Sequence, residues 1–202
     1  MSQRTIAIVE AKPQNFFEVA DVHCQAFHPK APWPLNKLLR ADRMLALAFP
    51  ITESDKSTRQ MNLVAVESVG TFPLIFERIV GSVTIATVCE EKGTYVEKRR
   101  RRESPPPANQ RLGIAYVSNV AVKSEFRRQG VARQLMAEAE RKAREDWRCK
   151  TAALHCDGQN EAALGLYTGL GYTRLSCEPA WIPYVRLRPA VRLTLLMKRL
   201  RD

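Results

Sequence analysis

The feature that most constrains this chain is a nearly unbroken apolar run, LGIAYVSNVAV at residues 112 to 122, followed by a second pattern in which Val131, Leu135, Ala139, Ala143 and Trp147 recur every four positions. The run reads as a strand covered on both faces. The four-residue repeat, joined by Ala132 and Met136, reads as a helix with one buried stripe. Between them lies Arg127-Arg128-Gln129-Gly130-Val131-Ala132. A strand that enters a helix through such a loop leaves several backbone N–H groups unpaired at the positive end of the helix dipole. That end is an anion site before any side chain is added. Gly130 lets a ligand approach the backbone closely, Ala132 keeps the groove open, and the arginines add field. A pyrophosphate fits that description. The spacing is neither the three-glycine dinucleotide fingerprint nor the GxxxxGK(S/T) loop.

The remaining segments alternate in type. Residues 4 to 10, RTIAIVE, are β-branched and alternating, so they form a first strand. Pro13 opens an amphipathic helix that places Phe16, Val19, Ala20, Val22, His23 and Phe27 around one broad side. Prolines at 29, 32 and 34 force a loop before a second helix over about 35 to 49. Residues 61 to 69 and 79 to 88 are neighbouring strands. From 90 to 111 the composition turns to charge and proline without periodicity, which marks a flexible insertion and not a core element. TAALHC at 151 to 156 is a strand, NEAALGLYTGL a helix capped by Asn160, and GYTRLSC and VRLTLLMKRL the last two strands. The order is strand, two helices, three strands, helix, strand, helix, two strands. It predicts an α/β (α+β) fold around a mixed sheet, with residues 1–202 as a single domain.

Charge narrows the partners. Lys and Arg number 32 against 21 Asp and Glu, a formal net charge of +11. Such an excess attracts polyanions without choosing among them. Within the insertion the run Lys98-Arg99-Arg100-Arg101-Arg102 is either a solvated loop or an arm that docks on a ribosome or another polyanion. No apolar run reaches the roughly 18 residues that span a bilayer. Cys24, Cys89, Cys149, Cys156 and Cys177 show neither a CxxC pair nor ligand spacing, which implies a reducing compartment and no metal. The opening MSQRTIAIVE runs straight into strand residues, so a targeting segment is expected to be trimmed or absent.

Two motifs together resemble the GCN5-related N-acetyltransferases. The first is Q/R-x-x-G-x-G/A, present as Arg127, Gly130 and Ala132; the second is Asn160, Ala163, Leu166-Tyr167 and Leu170-Gly171-Tyr172. The resemblance is strong over roughly 112 to 176. It implies a mostly antiparallel sheet with splayed middle strands flanked by helices, and acetyl-CoA as co-substrate with no metal. It assigns cofactor binding to Val120, Ala121 and Val122, to the loop residues Arg127, Arg128, Gln129, Gly130, Val131, Ala132 and Arg133, and to Asn160, Glu161, Ala162 and Tyr167. In the family the strand before the loop pairs through free main-chain groups with the pantetheine arm.

Acetyl transfer from a thioester to an amine needs a held cofactor, a neutral amine, a polarised carbonyl and a proton for the thiolate. Tyr167 matches the family's leaving-group tyrosine. A lysine amine lies roughly three pK units from neutrality near pH 7.4 and an α-amine only a few tenths, so a base matters more for lysine. Tyr116 and His155 resemble the Tyr and His pair of the NatE-type N-terminal acetyltransferase subunit, where the two share a water. By the same resemblance Phe27, in the loop stretch AFHPKAPWPL, and Tyr184, in WIPYVRLRP, contact substrate. YVSNVAVKSEFRRQGVA, LHCD and EPAW resemble plant plastid acetyltransferases of this superfamily, which implies acetylation of protein N-termini and internal lysines in the plastid stroma; a cytoplasmic site is the alternative. A silent acetyl-CoA- or ribosome-binding module and a small-molecule amine acetyltransferase remain open as other functions.

Overall fold

The computed structural model describes residues 4–48, 59–71, 74–88, 113–177 and 192–200. In chain order the elements are β1 (Arg4–Glu10), α1 (Phe16–Phe27), α2 (Trp33–Ala48), β2 (Gln60–Thr71), β3 (Leu74–Val88), β4 (Ile114–Val122), α3 (Val131–Glu145), β5 (Thr151–Asp157), α4 (Glu161–Gly169), β6 (Thr173–Cys177) and β7 (Leu193–Arg199). The strands form one mixed seven-stranded sheet ordered β1-β2-β3-β4-β5-β7-β6, with four described helices beside it. The element order is the one expected from periodicity. The expected insertion at 90–111, with Lys98 to Arg102, and the loop carrying Tyr184 lie outside the described residues.

The chain divides into two compact units. The first comprises Met1–Glu53, Gln60–Ile85 and Val117–Arg141. Here β1 and β2 pair antiparallel from Arg4 opposite Val69 to Glu10 opposite Leu63. Val19, Val22, Leu47, Val64, Ile79 and Ala121 form the core cluster, and each fully buried aliphatic contributes roughly 1.5–3 kcal/mol of transfer free energy. Glu18 reaches from α1 to accept the Ile79 N–H of β3 at 3.1 Å, and Arg40 of α2 pairs with Asp21 of α1 at 2.6 Å. Val131, Leu135, Met136 and Ala139 turn the stripe of α3 inward. That close seat depends on Gly81 of β3, where a Cβ would stand 3.0 Å from Leu135 Cδ1 and 3.1 Å from the Ala121 carbonyl oxygen.

The second unit comprises Ser54–Arg59, Ala86–Tyr116 and Lys142–Asp202. β5 and β7 pair antiparallel from Thr151 opposite Arg199 to Asp157 opposite Leu193, and β6 adds to β7 with an irregularity between Arg174 and Ser176. Leu154 and Leu196, directly opposite one another, are both fully buried. Trp147, expected at the end of the α3 stripe, is half-buried and lies beyond the last helical residue, Glu145.

Candidate functional site

In the first unit the loop between β4 and α3 is braced by its own side chains. After β4 a single 3-10 turn, Ser124–Phe126, buries Phe126 completely. The Arg127 Nε donates to the Val122 carbonyl at 3.1 Å, and the Gln129 Nε2 donates to the Glu125 carbonyl at 2.7 Å. Arg127 and Gln129 therefore shape the loop with their side chains, although they are exposed like Arg128. Arg128 has φ +64° and Gly130 φ +81°. Left-handed residues placed among right-handed and extended ones turn successive N–H groups toward one side, the concavity that receives phosphate oxygens. Gln134 makes the first helical bond of α3, to the Gly130 carbonyl at 3.0 Å. The N–H groups of Val131 and Ala132 thus have no intrahelical acceptor. A Cβ on Gly130 would meet nothing within 4 Å, so the position needs glycine for its φ and the space above the loop is open. These groups fit a pyrophosphate.

Ala121 and Val122 are buried and Val120 half-buried, with Ala121 belonging to the core cluster. The side chains of Ala121 and Val122 are committed to packing. Phe27 ends α1 half-exposed, its ring 4.6 Å from that of His23.

In the second unit β4 and β5 bring two expected residues into contact. The Tyr116 hydroxyl and His155 Nδ1 share a hydrogen bond of 2.9 Å, with ring centroids 5.9 Å apart. Asn160 caps α4, its Oδ1 accepting the Ala163 N–H at 3.0 Å, while Glu161 and Ala162 are exposed on the first turn. At the other end of α4 the Tyr172 N–H returns to the Tyr167 carbonyl at 3.0 Å and the Gly171 N–H to Thr168 at 2.9 Å, with Gly171 at φ +88°. This is a Schellman turn. It gives Leu170-Gly171-Tyr172 a structural reason, because the turn sets the Tyr172 ring edge-on to Tyr167 at 6.0 Å. Tyr167 is 7% exposed. Burial first, and the charge a Cys156 thiolate would carry second, push its hydroxyl well above the ordinary phenol range. Cys156 itself is pushed up to about 11 by burial and by Asp157. Tyr167 is held protonated across the physiological range.

Two residues that sequence reasoning passed over stand beside the loop strand in the first unit. Asn119 interrupts β4 at φ +55°, a signal readable in principle because asparagine is uncommon within a β-branched run and tolerant of left-handed backbone. Arg43 of α2 reaches it, and an arginine on an amphipathic helix carries no such signal.

The pattern of the Acetyltransferase (GNAT) family matches residues 77–172. The chain is 31% identical over 212 aligned residues, 96% of its length and 69% of the relative's, to GCN5-related N-acetyltransferase 4, chloroplastic, of Arabidopsis thaliana. In fold it is similar to Arabidopsis thaliana NAA60 in complex with acetyl-CoA, with TM-score 0.64, 16% identity, and coverage of 96% of this chain and 99% of that one. It is also similar to the NatC complex bound to Gag peptide and CoA, with TM-score 0.58, 18% identity, and coverage of 97% and 99%.

Proposed function

Because this chain belongs to the GCN5-related N-acetyltransferase (GNAT) family and is an N-acetyltransferase, we propose that it transfers acetyl from acetyl-CoA to amines of proteins and peptides, both N-terminal α-amines and lysine side chains. The observation that carries this reading is the 2.9 Å hydrogen bond between Tyr116 and His155. A tyrosine and a histidine joined in this way orient a water that removes the proton an attacking amine must lose, and lysine needs that help most. The thioester supplies an activated acetyl group: the amine nitrogen forms the new C–N bond and the C–S bond breaks. Tyr167, kept protonated by burial, donates its proton to the departing thiolate. The loop from Arg127 to Arg133 holds the pyrophosphate through backbone N–H groups, and Val120 to Val122 hold the pantetheine arm through main-chain groups. Phe27 and Tyr184 contact the acceptor. The peptide in the NatC structure supports a polypeptide acceptor.

Residues 1–202 work as a single N-acetyltransferase domain, and the chloroplastic relative supports a site of action in the plastid stroma. Lys98 to Arg102 form an arm for a ribosome or another polyanion. Among the described residues no helix is long and apolar enough to cross a membrane.

The test is to incubate the protein with acetyl-CoA and a mixed peptide pool and to map products by mass spectrometry. Acetyl groups on both peptide N-termini and lysines are expected. Modification of small amines alone, or acetyl-CoA binding with no transfer, would replace this reading with one of the two alternatives.

A further inference from the structure

Arg43 is a half-buried cation that no carboxylate pairs with among the described residues. Its Nη2 donates to Thr84 Oγ1 at 3.0 Å, and Thr84 passes the bond on to Asn62 Oδ1 at 2.8 Å. With the Asn119 amide oxygen turned toward the guanidinium, that oxygen accepts from Arg43 Nη1 at 3.3 Å and Nη2 at 3.2 Å; the reverse orientation would set amide N–H against guanidinium N–H. One fork thus ties α2 to β2, β3 and β4, all within the first unit.

Its last partner is the unusual one. Asn119 lies inside a strand at φ +55°, and around it the alternating burial of Ala115 and Val117 gives way to three half-buried residues, Ser118 to Val120. A left-handed residue in a strand re-aims the peptide groups that follow it away from the regular ladder, as bulges do. The groups re-aimed here begin at Val120. Burial lowers the pKa of Arg43, which shows that holding this cation has a cost.

We propose that Arg43 is a positioning residue for acetyl transfer, clamping Asn119 in its left-handed conformation and so fixing the direction of the Val120 to Val122 main chain that receives the cofactor. The inference rests on the reading of those three residues as the pantetheine-binding strand. In this proposal Arg43 and Asn119 act through the strand and not through contact with acetyl-CoA or the acceptor.

The experiment measures kcat and KM for acetyl-CoA and for a peptide acceptor, with melting temperature, in Arg43→Met, Arg43→Lys, Asn119→Ala and Asn119→Gly. Alanine resists φ +55° and removes the acceptor oxygen, whereas glycine adopts that φ without a clamp. Arg43→Met and Asn119→Ala are each expected to raise the KM for acetyl-CoA about tenfold while the acceptor KM stays within twofold. Lysine, lacking the fork, should not rescue. Asn119→Gly should bind acetyl-CoA at least about fivefold more tightly than Asn119→Ala. In the glycine background Arg43→Met should cost less than about twofold. Should Arg43→Met fail to fold, the contrast between alanine and glycine at 119 decides alone. Equal acetyl-CoA KM in Asn119→Ala and Asn119→Gly, or an Arg43→Met loss undiminished by glycine, would overturn the clamp. If the unmutated protein neither binds acetyl-CoA nor acetylates, the proposed function falls instead, so the two failures are separable.

Discussion

At the residue scale the chemistry rests on which side chains keep their protons. Tyr167 is buried beside Cys156, and both are shifted toward their neutral forms. Tyr167→Phe preserves shape and burial and deletes only the donor. Turnover should fall on the order of 10²-fold with the acetyl-CoA dissociation constant nearly unchanged, as stopped assays and calorimetry would read. A turnover near normal would remove Tyr167 from the mechanism. The role proposed for Tyr116 and His155 gives a different expectation. His155→Ala and Tyr116→Phe should each reduce kcat/KM more for lysine peptides than for peptide N-termini, because lysine is the costlier amine to neutralise. The double variant should add little to the worse single one, as expected for two groups sharing one hydrogen bond. Equal loss on both amines would show that the pair does not serve deprotonation.

At the element scale the junction of β4 with α3 carries the cofactor prediction. Gly130 caps α3 at φ +81° in open space. A valine there strains the backbone by about 1–2 kcal/mol and puts a branched side chain where phosphate oxygens approach. Calorimetry should show the acetyl-CoA dissociation constant of Gly130→Val raised about tenfold or more, about 1.4 kcal/mol, with the circular dichroism of the fold retained. Unchanged affinity would move the phosphate site elsewhere. The braces from Arg127 and Gln129 to main-chain carbonyls distinguish these two side chains from that of Arg128, although all three are exposed.

At the scale of the whole molecule, stability has limits at both ends of the pH range. Burial first, then Arg43 and His28, lower the pKa of His23 to about 4 from the ordinary 6.5. The unfolded chain therefore binds a proton there that the folded chain refuses, and stability falls as pH drops from about 6.5 to 4. At alkaline pH the signs reverse. Folded Tyr167 and Cys156 keep protons that the unfolded chain releases, so stability falls again as pH rises above about 9. Denaturant melts from pH 4 to 11 should show a plateau between these limbs. His23→Gln should flatten the acid limb by on the order of 1–2 kcal/mol, allowing for partial solvent exposure; an unaltered limb would assign acid unfolding to carboxylates. The charge excess gives a separate prediction. Neutralising Lys98 to Arg102 should leave rates on short peptides untouched, while weakening ribosome cosedimentation and flattening its salt dependence. Cosedimentation indifferent to the change would discard the arm.

What the sequence determined by itself is what local chemistry can write. The β-branched run before Arg127, the four-residue stripe from Val131 to Ala143, the Asn160 cap and the Gly171 stop each act within a few residues, so their elements are legible in the sequence, and the two motifs carry the acetyltransferase resemblance by themselves. The structure bounded those elements differently by only a few residues, and it joins Tyr116 to His155 by a direct hydrogen bond where the resemblance implied a shared water. What only the tertiary structure decided comes from contacts between distant parts of the chain. Arg43 lies 41 positions from Thr84 along the chain, and nothing near it announces the fork that reaches Thr84 and Asn119. The raised pKa of Tyr167 and the lowered pKa of His23 depend likewise on burial. Desolvation is set by neighbours that folding gathers, whereas periodicity and capping are set by neighbours already adjacent in the chain.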